Sequence, residues 1–65
     1  MSKIGTHVKA IGKDGKTYLI QASRKEIGYI SLIYDAEYNL IEKGQVQFPV
    51  AGDAVRYGIQ RTRIF

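Results

Sequence analysis

The sequence predicts a small all-β domain, a five-stranded antiparallel barrel or rolled sheet in which residues 1–65 form one unit. Three observations indicate this fold. Apolar and polar residues alternate in short runs, which is the two-residue period of a β-strand. Seven glycines separate these runs at close intervals, as tight turns do. With 65 residues the chain has room for one domain only.

The first two strands are expected to form a hairpin around Gly15. Val8 and Ala10 lie on one face of the first strand, and Tyr18 and Ile20 lie on one face of the second. A three-residue turn ending at Gly15 sets Val8 opposite Ile20 and Ala10 opposite Tyr18, so the two apolar sets share a face. A two-residue turn would set Val8 opposite a glutamine instead. The three-residue turn also gives Gly15 the left-handed position, which glycine favours.

Residues 23–44 allow two interpretations. In the favoured one, residues 28–34 form a strand, residues 35–39 a polar turn and residues 40–48 a second strand, because Ile and Tyr are abundant and are strong strand formers. In the other, Ser23 and Glu26 form a capping box for a helix, and apolar residues recur at helical spacing up to Ile41. The second interpretation gives the alternative fold, a curved antiparallel sheet with one helix at about residues 24–43.

The last third of the chain is expected to complete the barrel. Pro49 cannot donate a ladder hydrogen bond and therefore ends a strand. Residues 51–53 form the next turn, and residues 54–65 form the fifth strand with a bulge at Gly58. The result is a barrel of SH3-like or OB-like size. Its predicted core consists of Val8, Ala10, Tyr18, Ile20, Ile30, Leu32, Val46, Phe48, Val55 and Ile59.

Charge is unevenly distributed along the chain, whose net charge is +4. Residues 1–25 carry six cations and one acid, residues 26–53 carry five acids and one cation, and residues 54–65 carry three arginines and no acid. If the two ends lie side by side, they form a basic face opposite an acidic middle. Such a face is typical of proteins that bind nucleic acid or an acidic protein surface. The same polarity could join copies of the chain into a homo-oligomer.

The candidate binding residues follow from this distribution. Lys9 from the first strand and the arginines of the last strand are expected to line one outer groove. The register of the strands does not allow all of four tyrosines to point inward, namely Tyr29, Tyr34, Tyr38 and Tyr57. Some are therefore expected on the surface as interface anchors or as stacking platforms for bases. The predicted nucleic-acid or partner site therefore consists of Lys9, Arg56, Arg61, Arg63, Tyr29 and Tyr57.

Catalysis and metal binding are not expected. The chain has no cysteine, and its single histidine, His7, cannot supply the three or four clustered ligands that a metal site needs. No glycine-rich phosphate loop is present, and the two acids of the 35–39 turn are expected to be solvated. We therefore expect no enzyme and no cofactor. No apolar run is long enough to span a membrane, and no secretory leader opens the chain, so we expect a cytoplasmic protein.

Two function classes remain open. The first is a basic β-barrel that contacts nucleic acid through an Arg/Lys face and exposed tyrosines. The second is a protein-interaction module, such as a small inhibitor or adaptor of the kind that phages and mobile elements encode, acting as a homo-oligomer. A small-molecule sponge with its pocket at a subunit interface is a weaker third hypothesis.

Overall fold

The computed structural model describes residues 6–65. Its elements are the strands β1 (Val8–Ile11), β2 (Thr17–Arg24), β3 (Tyr29–Asp35) and β4 (Leu40–Lys43) and the helix α1 (Ala51–Thr62). The strands form one antiparallel sheet in the order β1-β2-β3-β4, and α1 packs across β2 and β3. The sheet does not close, so the five-stranded barrel is not confirmed. The alternative of a sheet with one helix fits, but the helix lies at Ala51–Thr62 and not at residues 24–43.

The predicted β1–β2 hairpin is confirmed in its register. Val8 pairs with Ile20 and Ala10 pairs with Tyr18. The backbone N–H of Gly15 donates to the Gly12 carbonyl at 2.9 Å, and Gly15 has a φ of 82°, as the three-residue turn requires. The prediction succeeds because both the turn chemistry and the apolar alternation lie within a few residues of one another.

Asp14 stabilises this turn by accepting two hydrogen bonds. Its carboxylate accepts the backbone N–H of Lys16 at 2.9 Å and the hydroxyl of Tyr18 at 2.6 Å. The hydrogen bond from Tyr18 lowers the pKa of Asp14 below its ordinary value, and the same bond raises the pKa of Tyr18. The ring of Tyr18 is buried, and Phe65 packs edge-on against it at a centroid distance of 5.2 Å. The turn is therefore tied to the core and to the end of the chain.

We expect Gly15→Val to lower the free energy of unfolding by about 1 kcal/mol or more, because a β-branched residue strongly disfavours positive φ. A Cβ at this position would meet nothing within 4 Å, so the substitution tests the backbone conformation alone. Gly15→Asn is the matched control, since asparagine tolerates the left-handed region. Urea unfolding of the three proteins gives the comparison. A Val variant as stable as the wild type would contradict this turn geometry.

The strand interpretation of residues 23–44 is confirmed in outline. β3 and β4 flank a turn at residues 36–39, and no helix forms here. The second strand is shorter than expected, because it leaves the ladder after Lys43. The chain rejoins β3 only where Phe48 pairs with Tyr29 in an isolated bridge. Val46, predicted to lie in the core, is 51% exposed in the intervening segment.

The helix at Ala51–Thr62 replaces the predicted turn and fifth strand. Val55, Tyr57 and Ile59 alternate with other residues and are strand formers, which favoured the strand interpretation. The same segment also carries Ala54, Gly58 and Thr62 at a spacing of four residues, and all three are buried in α1. The helix therefore presents its small residues to the sheet, and tertiary burial outweighs local strand preference.

The main core cluster lies between α1 and the helix-facing side of the sheet, while Leu19 and Ile30 are buried on the opposite face. Tyr18, Ile20 and Ile33 form its centre. The partly buried residues packed around them are Ala10, Val55, Ile59 and Phe65. Gly58 was predicted to be a strand bulge. It is instead a point of close approach, where an added Cβ would lie 2.5 Å from Ile20 Cγ2 and 2.5 Å from Ser31 Oγ. Val8, another predicted core residue, is 41% exposed.

Candidate binding face

The sheet face away from α1 carries two rows of side chains that span three or four strands, beside the shorter pairs Ile11–Thr17 and Ser23–Ile30. Directly paired residues in an antiparallel ladder share a face. In one row, Lys9, Leu19, Tyr34 and Leu40 are paired in succession across the four strands; in the other, Gln21, Leu32 and Lys43 are paired. These residues alternate with those that contact α1. We call this side the open face and define it by Lys9, Leu19, Gln21, Leu32, Tyr34, Leu40 and Lys43.

A β-bulge decides which residues of β4 reach the open face. Ile33 pairs with Glu42 and the next residue, Tyr34, pairs with Leu40, so Ile41 is an extra residue in β4. Without the bulge, residues 40 and 42 would share a face. The bulge instead sends Leu40 to the open face and Glu42 to the helix side. An acidic side chain is thereby kept off the open face.

The open face carries positive charge and, among residues 6–65, no acid. Lys9 and Lys43 are both exposed on it, one on each edge strand. The acidic residues lie elsewhere: Asp14, Glu26 and Glu37 in turns, Asp35 at the end of β3, Glu42 on the helix side and Asp53 on α1. The helix side carries both signs of charge, whereas the charged residues of the open face are both lysines.

Apolar and aromatic side chains form the floor between the two lysines. Leu19 is buried, Leu32 and Tyr34 are half-buried, and Leu40 is 52% exposed. The Tyr34 hydroxyl donates to Gln21 Oε1 at 3.4 Å. The floor therefore offers rings and aliphatic groups to a partner, with a tyrosine hydroxyl and an amide as polar groups.

Two aromatic rings meet at the margin of this face. His7 precedes β1, and Tyr38 lies in the turn between β3 and β4. Their ring centroids are 6.3 Å apart in an edge-on arrangement with an interplanar angle of 79°. His7 lies two residues before Lys9 and so on the same side of the chain, which puts this contact on the side of the open face.

The structure separates Lys9 from the three predicted arginines. They were expected on an outer strand face, but they lie on or directly after α1, across the sheet from Lys9. Arg61 is held by Glu42 of β4 through two hydrogen bonds of 2.9 and 3.2 Å, which raise the pKa of the guanidinium. Arg56 and Arg63 are exposed, and Arg56 lies 3.5 Å from Asp53. No common groove joins these residues to Lys9.

The two predicted tyrosines also lie on the helix side. Tyr29 and Tyr57 are half-buried. The Tyr57 ring packs against Phe48 at a centroid distance of 5.5 Å, and Tyr29 exchanges backbone hydrogen bonds with Phe48 at 2.7 and 2.8 Å. Both residues therefore contact Phe48, in the segment that connects β4 to α1.

Tyr34, Tyr38 and Lys43 were not among the predicted site residues. The alternation of β3 indicates that Leu32 and Tyr34 share a face, but it does not indicate that the helix covers the opposite one. The position of Lys43 depends on the bulge at Ile41, which has no sequence signature. Of these three residues, only Tyr38 could have been expected at the surface from the sequence, because it lies within the polar turn predicted at residues 35–39.

Within residues 6–65 no group of three His, Asp or Glu side chains is arranged to hold a metal ion. No helix in the same range is both long and apolar enough to cross a bilayer. Comparisons of the chain with protein-family models, with curated proteins and with solved structures find no significant match.

Proposed function

We propose that this chain is a non-enzymatic binding module that takes nucleic acid on its open face. The observation that carries the proposal is the combination of exposed Lys9 and Lys43 with the tyrosine-containing floor between them and no acid among the described residues of that face. Lysines near phosphates release counterions and supply affinity, while exposed rings stack on bases.

The charge of the open face argues for an anionic partner. Two copies of the chain meeting through this face would bring four lysine side chains together with no carboxylate from it to balance them. Like charges at such an interface cost several kcal/mol. A polyanion meets the same lysines with opposite charge. The face is therefore better matched to a phosphate backbone than to a second copy of itself.

The arginines of the helix layer have a secondary role in this proposal. Arg56 and Arg63 are seven residues apart in sequence, which sets them on one stripe of the helix surface. They add to the net charge of +4 and so to the long-range attraction of an anion. Arg61 contributes less, because Glu42 already holds its guanidinium.

The proposal predicts unequal effects of two matched charge removals. We expect Lys9→Ala with Lys43→Ala to weaken binding to an oligonucleotide, and to lower the log–log salt slope by roughly 1.4 to 1.8, because each lost phosphate contact removes about 0.7 to 0.9. Arg56→Ala with Arg63→Ala removes the same charge from the helix side and should change the slope much less. Fluorescence anisotropy of a labelled oligonucleotide, titrated at several salt concentrations, measures both.

Three outcomes decide between the sites and the functions. A larger loss of affinity in the double arginine variant would indicate that nucleic acid binds to the outer surface of α1. Equal small losses would reduce the interaction to the general attraction of a basic protein for a polyanion. No binding to single-stranded or duplex nucleic acid at low salt would contradict the proposed function itself.

A protein-interaction module is the second candidate, and the apolar part of the open face favours it. Ile11, which shares the side of Lys9, is 61% exposed and Leu40 is 52% exposed. Together with the lysines they would suit an acidic protein surface. A mass measurement in solution at low and high salt tests the homo-oligomer of this hypothesis, since salt weakens exposed charge pairs.

A further inference from the structure

The same turn occurs twice in this fold with different residues. In the β1–β2 turn the N–H of Gly12 donates to the Lys16 carbonyl at 2.8 Å, and in the β3–β4 turn the N–H of Asp35 donates to the Asn39 carbonyl at 3.0 Å. The fourth residue from each start has a positive φ. It is Gly15 at 82° in the first turn and Tyr38 at 68° in the second.

Tyrosine is an unfavourable residue at this position. A bulky side chain in the left-handed region is a conformational outlier, whereas glycine adopts it without cost. The turn holds Tyr38 there because Asp35 accepts the backbone N–H groups of Glu37 and Asn39 at 2.9 Å each and the Asn39 side-chain amide at 3.1 Å. Hydrogen bonds from Asn39 also lower the pKa of Asp35.

Core packing does not account for the tyrosine. The Tyr38 side chain is 46% exposed and lies outside the core cluster around Ile20 and Ile33. Its ring contact in this structure is the edge-on contact with His7 at the margin of the open face. The backbone is therefore held in an unfavourable conformation at a residue that is only partly covered by the rest of the protein. Such strain concentrates at functional positions.

We propose that the Tyr38 ring, supported by His7, stacks on an unpaired base and makes the open face selective for single-stranded nucleic acid. The inference rests on the proposed function and adds the substrate class. A base in a duplex has both flat surfaces covered by its neighbours, so it cannot stack on a side chain without being unstacked. A base in a single strand offers its surface to the ring at little cost.

The test uses two substitutions that, like tyrosine, are unfavourable at positive φ, so that only the side chain differs. Tyr38→Phe keeps the aromatic surface, and Tyr38→Leu keeps apolar bulk but removes the ring. Stacking on one base is worth ~1–3 kcal/mol, so Tyr38→Leu should weaken binding to a short oligothymidine strand by about 5- to 150-fold. Tyr38→Phe should bind within about twofold of the wild type. Binding to a duplex of equal length should be the same for all three proteins.

A third variant tests the strain. Asparagine tolerates positive φ, so Tyr38→Asn should melt at or above the wild-type temperature while it loses single-strand affinity as Tyr38→Leu does. Thermal unfolding measured by circular dichroism reports the first effect.

The outcomes separate this inference from the proposed function. A wild-type protein that binds neither strand nor duplex contradicts the proposed function, and this inference falls with it. A wild-type protein that binds the strand while Tyr38→Leu binds equally well overturns this inference alone. If Tyr38→Leu loses affinity for the single strand and for the duplex equally, the inference is also overturned. The ring would then contribute to binding of either form and would not make the face selective for single strands.

Discussion

Gly58→Val is expected to leave the chain largely unfolded at room temperature. An added Cβ alone would lie 2.5 Å from Ile20 Cγ2, and valine would add two further carbons at the same point. Overpacking a dense core costs about 1–3 kcal/mol and in tight sites more. A single core in a domain of this size rarely supplies more than about 3–5 kcal/mol. Circular dichroism in water and in urea measures the loss.

The smaller substitution Gly58→Ala tests the same contact by whether it raises or lowers the free energy of unfolding. Replacing glycine with alanine inside a helix ordinarily adds up to about 1 kcal/mol of stability. Gly52 also lies in α1, and a Cβ there would meet nothing within 4 Å, so Gly52→Ala should be neutral or stabilising. Gly58→Ala should destabilise despite the same gain in propensity. Equal effects of the two substitutions would show that α1 does not approach the sheet closely at Gly58.

Ile20→Ala is the second substitution with a large expected effect. Ile20 is 0% exposed and lies at the centre of the core beneath α1. Truncation of such a side chain costs about 2–5 kcal/mol, because apolar contacts are lost and a cavity remains. Ile27→Ala is the control, since Ile27 is 80% exposed and surface substitutions stay within about 0.5 kcal/mol. Urea denaturation of both variants gives the difference.

The two core predictions are coupled, and the coupling can be measured. Ile20→Ala removes the Cγ2 atom that a Cβ at Gly58 would strike. The double variant Ile20→Ala with Gly58→Ala should therefore be more stable than the sum of the two single losses, by about 0.5–3 kcal/mol for residues in contact. Strict additivity would contradict the direct contact between these two positions.

Local chemistry accounts for the parts of the fold that were predicted. The β1–β2 hairpin needs one glycine at positive φ and an apolar alternation on each side of it, and both are adjacent in the chain. The turn after Asp35 is likewise specified by Asp35 and Asn39, which form its hydrogen bonds. The turn hydrogen bonds join residues within four positions of one another, and the paired residues of the hairpin lie within twelve, so the local sequence is sufficient to predict them.

The candidate binding face was predicted only in part, because it is formed by residues that are far apart in the chain. Lys9 was predicted, but Tyr34 and Lys43, which share the open face with it, come from β3 and β4, and their positions depend on the order and register of the whole sheet. The arginines were assigned to the same surface because residues 54–65 were interpreted as a strand. A helix in their place moved them to the other layer. Charge along the chain therefore predicted a basic protein but not its binding surface.

The residues of the chain determine by themselves that strands form at β1, β2 and β3, because alternation and turn chemistry are local. Alternation supplies two apolar faces, however, one with Ile20 and Ile33 and the other with Leu19 and Leu32. Only the tertiary structure decides which of them receives α1. The helix packs where Ser31 is small enough to let Gly58 approach, and this contact between distant residues leaves the other face open. Burial against the sheet also makes residues 51–62 helical, although their local preference is divided between helix and strand.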